Sequence, residues 1–130
     1  MKNIILLALF LFIIKAHAEE LNYSSTYQEC IASANSEHPS IMNCFNQERD
    51  RIDKKIQATL NSNQYDSFQL EILKEIKKTN NLWAQYTKQS CSIYIRLGGQ
   101  RAELLQGNCV VDATMQRLKY IQDLLTAASI

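Results

Sequence analysis

The stretch VVDATMQRLKYIQDLLTA at residues 110–127 decides the fold class, because its apolar residues recur at helical spacing. Val111, Thr114, Leu118, Ile121 and Leu125 follow one another at intervals of three or four residues, which places them on one face of a helix. Glycine and proline are scarce, with three and one in the chain, and no alternating run typical of a strand occurs. The stretch therefore predicts an amphipathic helix in an all-α domain.

Three further segments upstream have the same helical period. They are predicted at about Ser24 to Asn35, from Pro39-Ser40 to about Asn61, and at about Tyr65 to Leu97, where Gly98-Gly99 ends the helix. The third is the longest, so the sequence predicts a small four-helix domain with one long central helix. The residues of this third helix that are expected to face the core are Phe68, Ile72, Ile76, Trp83, Tyr86, Ser90, Ile93, Tyr94 and Leu97, called the expected stripe.

The N-terminus has the three parts of a cleavable signal peptide. Lys2 supplies a positive charge, residues 4–14 are an unbroken apolar run, and Ala16 and Ala18 are the small residues that a signal peptidase reads. The apolar run is much shorter than the roughly 20 residues that a membrane-spanning helix needs. We therefore expect a signal peptide at residues 1–18, cleaved after Ala18, and a single periplasmic or secreted domain at residues 19–130.

The predicted mature chain has little net charge and no site for a lipid anchor. Removal of Lys2 and Lys15 with the signal peptide changes the formal net charge from +1 to about −1. A net charge this small gives no strong electrostatic attraction to nucleic acid. Glu19, rather than a cysteine, follows the cleavage site, so we expect no stable membrane insertion after the signal is removed.

Four cysteines lie in the predicted mature domain, at Cys30, Cys44, Cys91 and Cys109. An even number of cysteines in a small exported domain predicts two disulfides, although four cysteines allow three pairings. We favour the sequential pairing, because each bond then closes a short loop. A metal site made of four cysteines would need close pairs such as C-x2-C, and the sequence contains none, so we expect no bound metal.

Residues typical of catalysis are few in this sequence. His38 stands beside Pro39 in a predicted turn, where a surface position is more typical than a role as a base. Glu48, Asp50 and Asp53 form the one cluster of carboxylates, and the basic residues among them indicate ion pairs on a helix surface. No glycine-rich phosphate loop or calcium-binding loop occurs. We therefore expect no catalytic residues and no cofactor.

The residues around the cysteines form a longer pattern. Cys30 lies within the run Tyr27–Ala34 and Cys44 within the run Met42–Glu48, with Asp53 further on. Trp83 precedes Cys91 by eight residues with Tyr86 between them, Gly98-Gly99 follow, and Cys109 is followed by Thr114 and Arg117. Over residues 23–126 this arrangement resembles the LprI-like lysozyme-inhibitor family of bacterial periplasmic or secreted proteins.

The resemblance implies an all-helical domain that blocks a peptidoglycan-cleaving lysozyme by protein–protein binding. A lysozyme cleft contains two catalytic carboxylates, and arginine binds carboxylates through two parallel hydrogen bonds. The segment from Leu97 to Gly107, predicted as a loop closed by a disulfide, is the expected protrusion. The candidate partner-binding residues are Arg96, Gly98, Gly99, Gln100 and Arg101.

Two other functions are open at this stage. The first is a non-enzymatic periplasmic interaction module for another envelope protein or for a peptidoglycan fragment, marked by an exposed apolar patch away from Gly98-Gly99. The second is an enzyme that uses paired carboxylates, with Glu48 and Asp53 as the residues whose replacement would abolish turnover. We expect the chain not to be an enzyme.

Overall fold

The computed structural model describes residues 22–129, which form four α-helices joined by short connections. No strand occurs in this part of the chain, so the predicted all-α fold of four helices is confirmed. The helices are α1 (Ser25–Ser33), α2 (His38–Leu60), α3 (Ser67–Ser92) and α4 (Gly99–Ala128), with a 3-10 turn (Ile93–Leu97) between α3 and α4.

Local sequence explains where α1 and α3 begin. The hydroxyl of Ser24 accepts a hydrogen bond from the backbone N–H of Tyr27 at 3.0 Å, which caps α1. Asp66 and Gln69 form a reciprocal capping box at the start of α3. The side chain of Gln69 also donates to the backbone oxygen of Leu125 at 2.8 Å, which fixes the start of α3 against the end of α4.

α4 begins earlier than the sequence predicts. The expected loop from Gly98 to Gly107 is wrong, because the chain is already helical from Gly99. Most residues of this segment are glutamine, arginine, alanine, glutamate and leucine, which favour helices, and one internal glycine costs only about 1 kcal/mol. α4 therefore has 30 residues. α3 and the 3-10 turn that continues it form one helical segment of 31 residues, which confirms the predicted long central helix.

The core lies mainly between α2 and α4. Ile52 and Ile121 have no exposed surface, and the predicted apolar face of α4 is buried along its whole length. The closest approach is at Gly107, where an added Cβ atom would lie 2.6 Å from Cδ2 of Phe45. The buried residues of the predicted α4 face are Val111, Thr114, Leu118, Ile121 and Leu125.

α3 packs against the core through a face different from the one predicted. The buried residues of this helix are Gln69, Leu73, Ile76, Thr87 and Cys91, of which only Ile76 belongs to the expected stripe. α3 has apolar side chains on two faces, and periodicity alone does not show which face meets a neighbour. Of the expected stripe, Ile72, Trp83 and Ser90 are half-buried, and Phe68, Tyr86, Ile93, Tyr94 and Leu97 are exposed.

Two disulfides join helices that are consecutive in the chain. Cys30–Cys44 links α1 to α2, and Cys91–Cys109 links the end of α3 to α4. This is the sequential pairing that the sequence favours, and it uses all four cysteines. The covalent links therefore fix each helix pair at its connecting turn.

The predicted signal peptide at residues 1–18 lies outside the described residues and stays a prediction. Within residues 22–129, no helix has the length and apolar character needed to cross a membrane.

Gly107→Ala is expected to destabilise the protein by about 1–3 kcal/mol, because the new methyl group displaces the buried ring of Phe45. Urea unfolding followed by circular dichroism measures this change. Gln100→Ala, at an exposed position in the first turn of α4, is the matched control and should change the unfolding free energy by less than about 0.5 kcal/mol. Without a clash, alanine would stabilise the helix by about 1 kcal/mol, so a Gly107→Ala variant more stable than the wild type by that amount would contradict the close approach.

Candidate functional site

The 3-10 turn between α3 and α4 exposes an unusual amount of apolar surface. Ile93 is 65% exposed and Leu97 is 68% exposed, and Tyr94 and Ile95 are exposed as well. Arg96 is the one residue of the turn without an apolar side chain. We call residues 93–101 the tip. Clustered exposed apolar side chains of this kind mark interaction surfaces.

The backbone of the tip is held in a defined shape. The disulfide from Cys91 is buried beneath it, and Ala102 packs there with 1% exposure. Gly98 and Gly99 have φ angles of 73° and 72°, a left-handed conformation that glycine adopts without steric cost. The backbone N–H of Gly98 donates to the oxygen of Ile95 at 3.0 Å. The tip thus consists of a 3-10 turn and the first turn of α4 rather than a loop.

The structure places all five predicted partner-binding residues on the tip, where each is exposed. Arg96 lies in the 3-10 turn, Gly98 and Gly99 form the junction, and Gln100 and Arg101 lie in the first turn of α4. The expected loop is therefore replaced by a turn and a helix start. That these residues contact a partner stays a prediction.

The tip and the adjoining end of α3 are basic. The sequence has no aspartate or glutamate from Ile76 to Ala102. Lys88, Arg96 and Arg101 are exposed in this region, and none of them forms an ion pair within residues 22–129. Their positive charge is therefore uncompensated.

A cleft of about 350 Å³ opens beside the tip, between α3 and α4. Its walls are partly aromatic and partly polar, and the Cys91–Cys109 disulfide lies at one side. The volume lies at the lower end of the range of about 300–1,000 Å³ that is typical of small-molecule pockets. Among the lining residues are Tyr86, Ser90, Tyr94, Leu105 and Asn108.

Glu48 is not the surface residue that the sequence indicates, because it is 2% exposed. Its carboxylate accepts hydrogen bonds from the N–H and hydroxyl of Ser24 at 3.0 and 2.7 Å, and pairs with the guanidinium of Arg51 at 2.6 and 2.8 Å. Burial raises the pKa of this carboxyl, but the hydrogen bonds from Arg51 and Ser24 outweigh burial and hold the pKa at about 2. Glu48 therefore connects α2 to the cap of α1.

The other two carboxylates of the predicted cluster have separate surroundings. Asp50 is exposed and pairs with Arg49 at 2.8 Å. Asp53 is half-buried, and burial raises its pKa more than Arg49 lowers it. Asp53 lines a groove of about 340 Å³ that includes Trp83 of α3, whereas Glu48 faces α1. The structure therefore does not bring Glu48 and Asp53 to one site.

Arg117 is a buried cation. From the sequence alone it has no role apart from its place in the pattern around the cysteines. It is 9% exposed, and its Cζ lies 5.4 Å from the ring centroid of Trp83 and 5.5 Å from that of Tyr120. Nη2 also donates to the backbone oxygen of Ile76 at 3.5 Å. Burial lowers the pKa of this guanidinium. Stacking between two aromatic rings, a cation–π contact, holds α4 against α3. The sequence does contain a signal that could have identified Arg117, because this charged residue interrupts the apolar face of α4.

The described residues contain no group of three or more histidine, cysteine or acidic side chains that could hold a metal. His38, expected in a surface turn, is the first residue of α2, and its Nε2 lies 2.9 Å from a carboxylate oxygen of Glu103 on α4. The contact joins the start of α2 to the beginning of α4.

The part of the chain that forms these surfaces matches a known family. Residues 35–128 match the family model described as antitoxin TsiV3, and this range includes α2, α3, the tip and α4. The chain belongs to the TsiV3 antitoxin family. No curated protein and no solved structure matches it.

Membership of the TsiV3 antitoxin family corrects the resemblance to LprI-like lysozyme inhibitors, which is wrong. The expected inhibition of a lysozyme rested on that resemblance and is overturned with it.

Replacement of Glu48 by glutamine is expected to lower the unfolding free energy by roughly 1–3 kcal/mol at pH 7, because its hydrogen bonds then lose their charge. The folded pKa of about 2 lies below the ordinary value of 4.5. The stabilisation is therefore complete above pH about 5 and is lost as the pH falls towards 2. Urea unfolding at pH 7, 5 and 3 should show the difference between wild type and Glu48→Gln shrinking at low pH.

Glu71→Gln is the control for this measurement, because Glu71 is exposed on α3 and forms no ion pair within residues 22–129. It should change stability at pH 7 by less than about 0.5 kcal/mol. A difference between wild type and Glu48→Gln that stays constant from pH 7 to pH 3 would argue against an ionised, buried Glu48.

Arg117→Ala is expected to destabilise the protein by about 2–4 kcal/mol, since it removes a buried side chain that packs between Trp83 and Tyr120. Arg117→Met keeps most of the volume without a buried charge and should cost less than Arg117→Ala. Urea unfolding compares the two variants. If the methionine variant is the less stable, the charge of Arg117, rather than its packing, is the main contribution.

Proposed function

We propose that this protein is an antitoxin that binds a partner toxin protein and thereby protects the cell that makes it. The family match over residues 35–128 is the single observation that carries this proposal. The matched range contains the tip, so the surface best suited to binding lies within the part shared with the family.

The structure supports action by binding rather than by chemistry. The tip has clustered, exposed apolar side chains, which mark surfaces that bind proteins. Glu48, the most perturbed carboxylate, is used to connect α1 to α2. That the chain is not an enzyme stays a prediction.

We further propose that the protein works outside the cytoplasm. The sequence of residues 1–18 has the parts of a signal peptide cleaved after Ala18, and two disulfides are typical of an oxidising compartment. The toxin would then be met in the periplasm or in the medium.

Deletion of the gene in its own strain tests the antitoxin function even while the toxin is unidentified. The deletion strain is grown in mixed culture with its unmodified parent, which supplies the toxin. Its viable counts are expected to fall, whereas those of a marked parent strain grown in the same way are not. Expression of the full chain in the deletion strain should restore survival. A deletion strain that survives as well as the marked parent would refute the proposed function.

Expression of residues 19–130 without the signal peptide tests the location. The shortened chain stays in the reducing cytoplasm and is expected to give no protection, whereas the full chain protects. Full protection by residues 19–130 would overturn the extracytoplasmic location and leave the antitoxin function standing.

A further inference from the structure

The tip has two properties that together describe a partner. Its apolar side chains project from a short turn, with Ile93, Ile95 and Leu97 all more than 40% exposed. The charges on residues 93–101 are of one sign, because Arg96 and Arg101 are the charged residues there, and Glu103, the next carboxylate along the chain, contacts His38. An apolar protrusion with a basic rim complements an apolar recess with an acidic rim.

We infer that the tip is the toxin-docking surface, and that the toxin receives it in a cleft with an apolar floor and carboxylates at its rim. This inference rests on the proposed function. Ile93, Ile95 and Leu97 enter the floor, and Arg96 and Arg101 bind the carboxylates at the edge. Arginine suits this position because its planar group binds a carboxylate through two hydrogen bonds.

The defined shape of the tip favours tight binding. The buried disulfide at Cys91, the buried Ala102 and the turn at Gly98 and Gly99 define its shape before a partner arrives. Little conformational entropy is therefore lost on docking, which leaves more of the contact energy as affinity.

Charge argues against a second copy of this chain as the occupant. Two tips that meet would bring Arg96 and Arg101 of one copy close to the same residues of the other, and like charges in an interface are unfavourable. An acidic partner avoids this repulsion and is attracted by the same charges.

Another exposed apolar groove lies between α3 and α4 near Phe68 and Tyr120, with a volume of about 700 Å³. Its charges are mixed, because Glu71, Lys74 and Glu75 line it and Glu75 already pairs with Lys78. Because its charges are of both signs, this groove does not select a partner of one charge. It therefore serves as the internal control for the tip.

Charge reversal at the tip tests the acidic rim. The double variant Arg96→Glu/Arg101→Glu is expected to lose protection in the mixed-culture assay and to bind the toxin at least about tenfold more weakly at low salt. The matched control is Lys54→Glu/Lys55→Glu, which makes the same charge change at exposed positions of α2 and should protect as the wild type does. The loss should diminish at high salt, where exposed charges are screened.

Removal of apolar contacts tests the floor of the cleft. Ile93→Ser/Leu97→Ser is expected to abolish protection, because exposed apolar residues at the centre of an interface contribute most to binding. Phe68→Ser/Leu82→Ser removes similarly exposed apolar side chains elsewhere on α3 and should leave protection intact. Thermal unfolding of each variant verifies that the fold is unchanged, as expected for exposed positions.

The binding probe is the protein that the wild-type chain captures from the parent strain and that stops growth when expressed without this chain. Failure of the wild-type chain to protect would refute the proposed function. Protection by both tip variants, with the wild type also protective, would overturn only the docking surface. A wild-type protein that sediments as a dimer, with tip variants that sediment as monomers, would assign the tip to self-association and overturn the inference as well.

Discussion

The close approach of α2 and α4 is the constraint on which the rest of the structure depends. A helix pair can approach this closely only where one side chain is missing, and the missing side chain is that of Gly107, opposite the ring of Phe45. Ile52 and Ile121 have no exposed surface and belong to the same core cluster, whose burial is the main source of hydrophobic stabilisation in a domain of this size. α1 and α3 are added to this pair from its two sides, each by a disulfide and by polar contacts.

Two buried charged side chains show how α1 and α3 are held against the pair of α2 and α4. Glu48 faces α1 and is satisfied by Ser24 and Arg51, so the cost of burying the charge is offset by hydrogen bonds that also fix the cap of the first helix. Arg117 faces α3 and is held by two aromatic rings rather than by a carboxylate.

How far the sequence predicts this molecule depends on the kind of signal. The face from Val111 to Leu125 has one strong period, and its burial follows from that alone. α3 has apolar residues on two faces, so its packing depends on tertiary contacts that periodicity does not contain. The helix through Gly107 is hard to predict because glycine usually indicates a turn, and only the position of Phe45 on another helix explains it. The tip residues are identified by their position beside Gly98-Gly99, and the lack of carboxylates from Ile76 to Ala102 is visible in the sequence. The exposure of Ile93 and Leu97, which the sequence analysis assigns to the core, is known only from the structure.

The two disulfides have a consequence for how the chain matures. Each closes a small ring, one across 14 residues and one across 18, and the rings share no residue. A chain that crosses a membrane from its N-terminus would deliver Cys30 and Cys44 together, long before Cys91 and Cys109 arrive. An oxidant that joins each cysteine to the next one to emerge therefore produces the native bonds directly. Correct pairing would not require an isomerase that exchanges mispaired bonds.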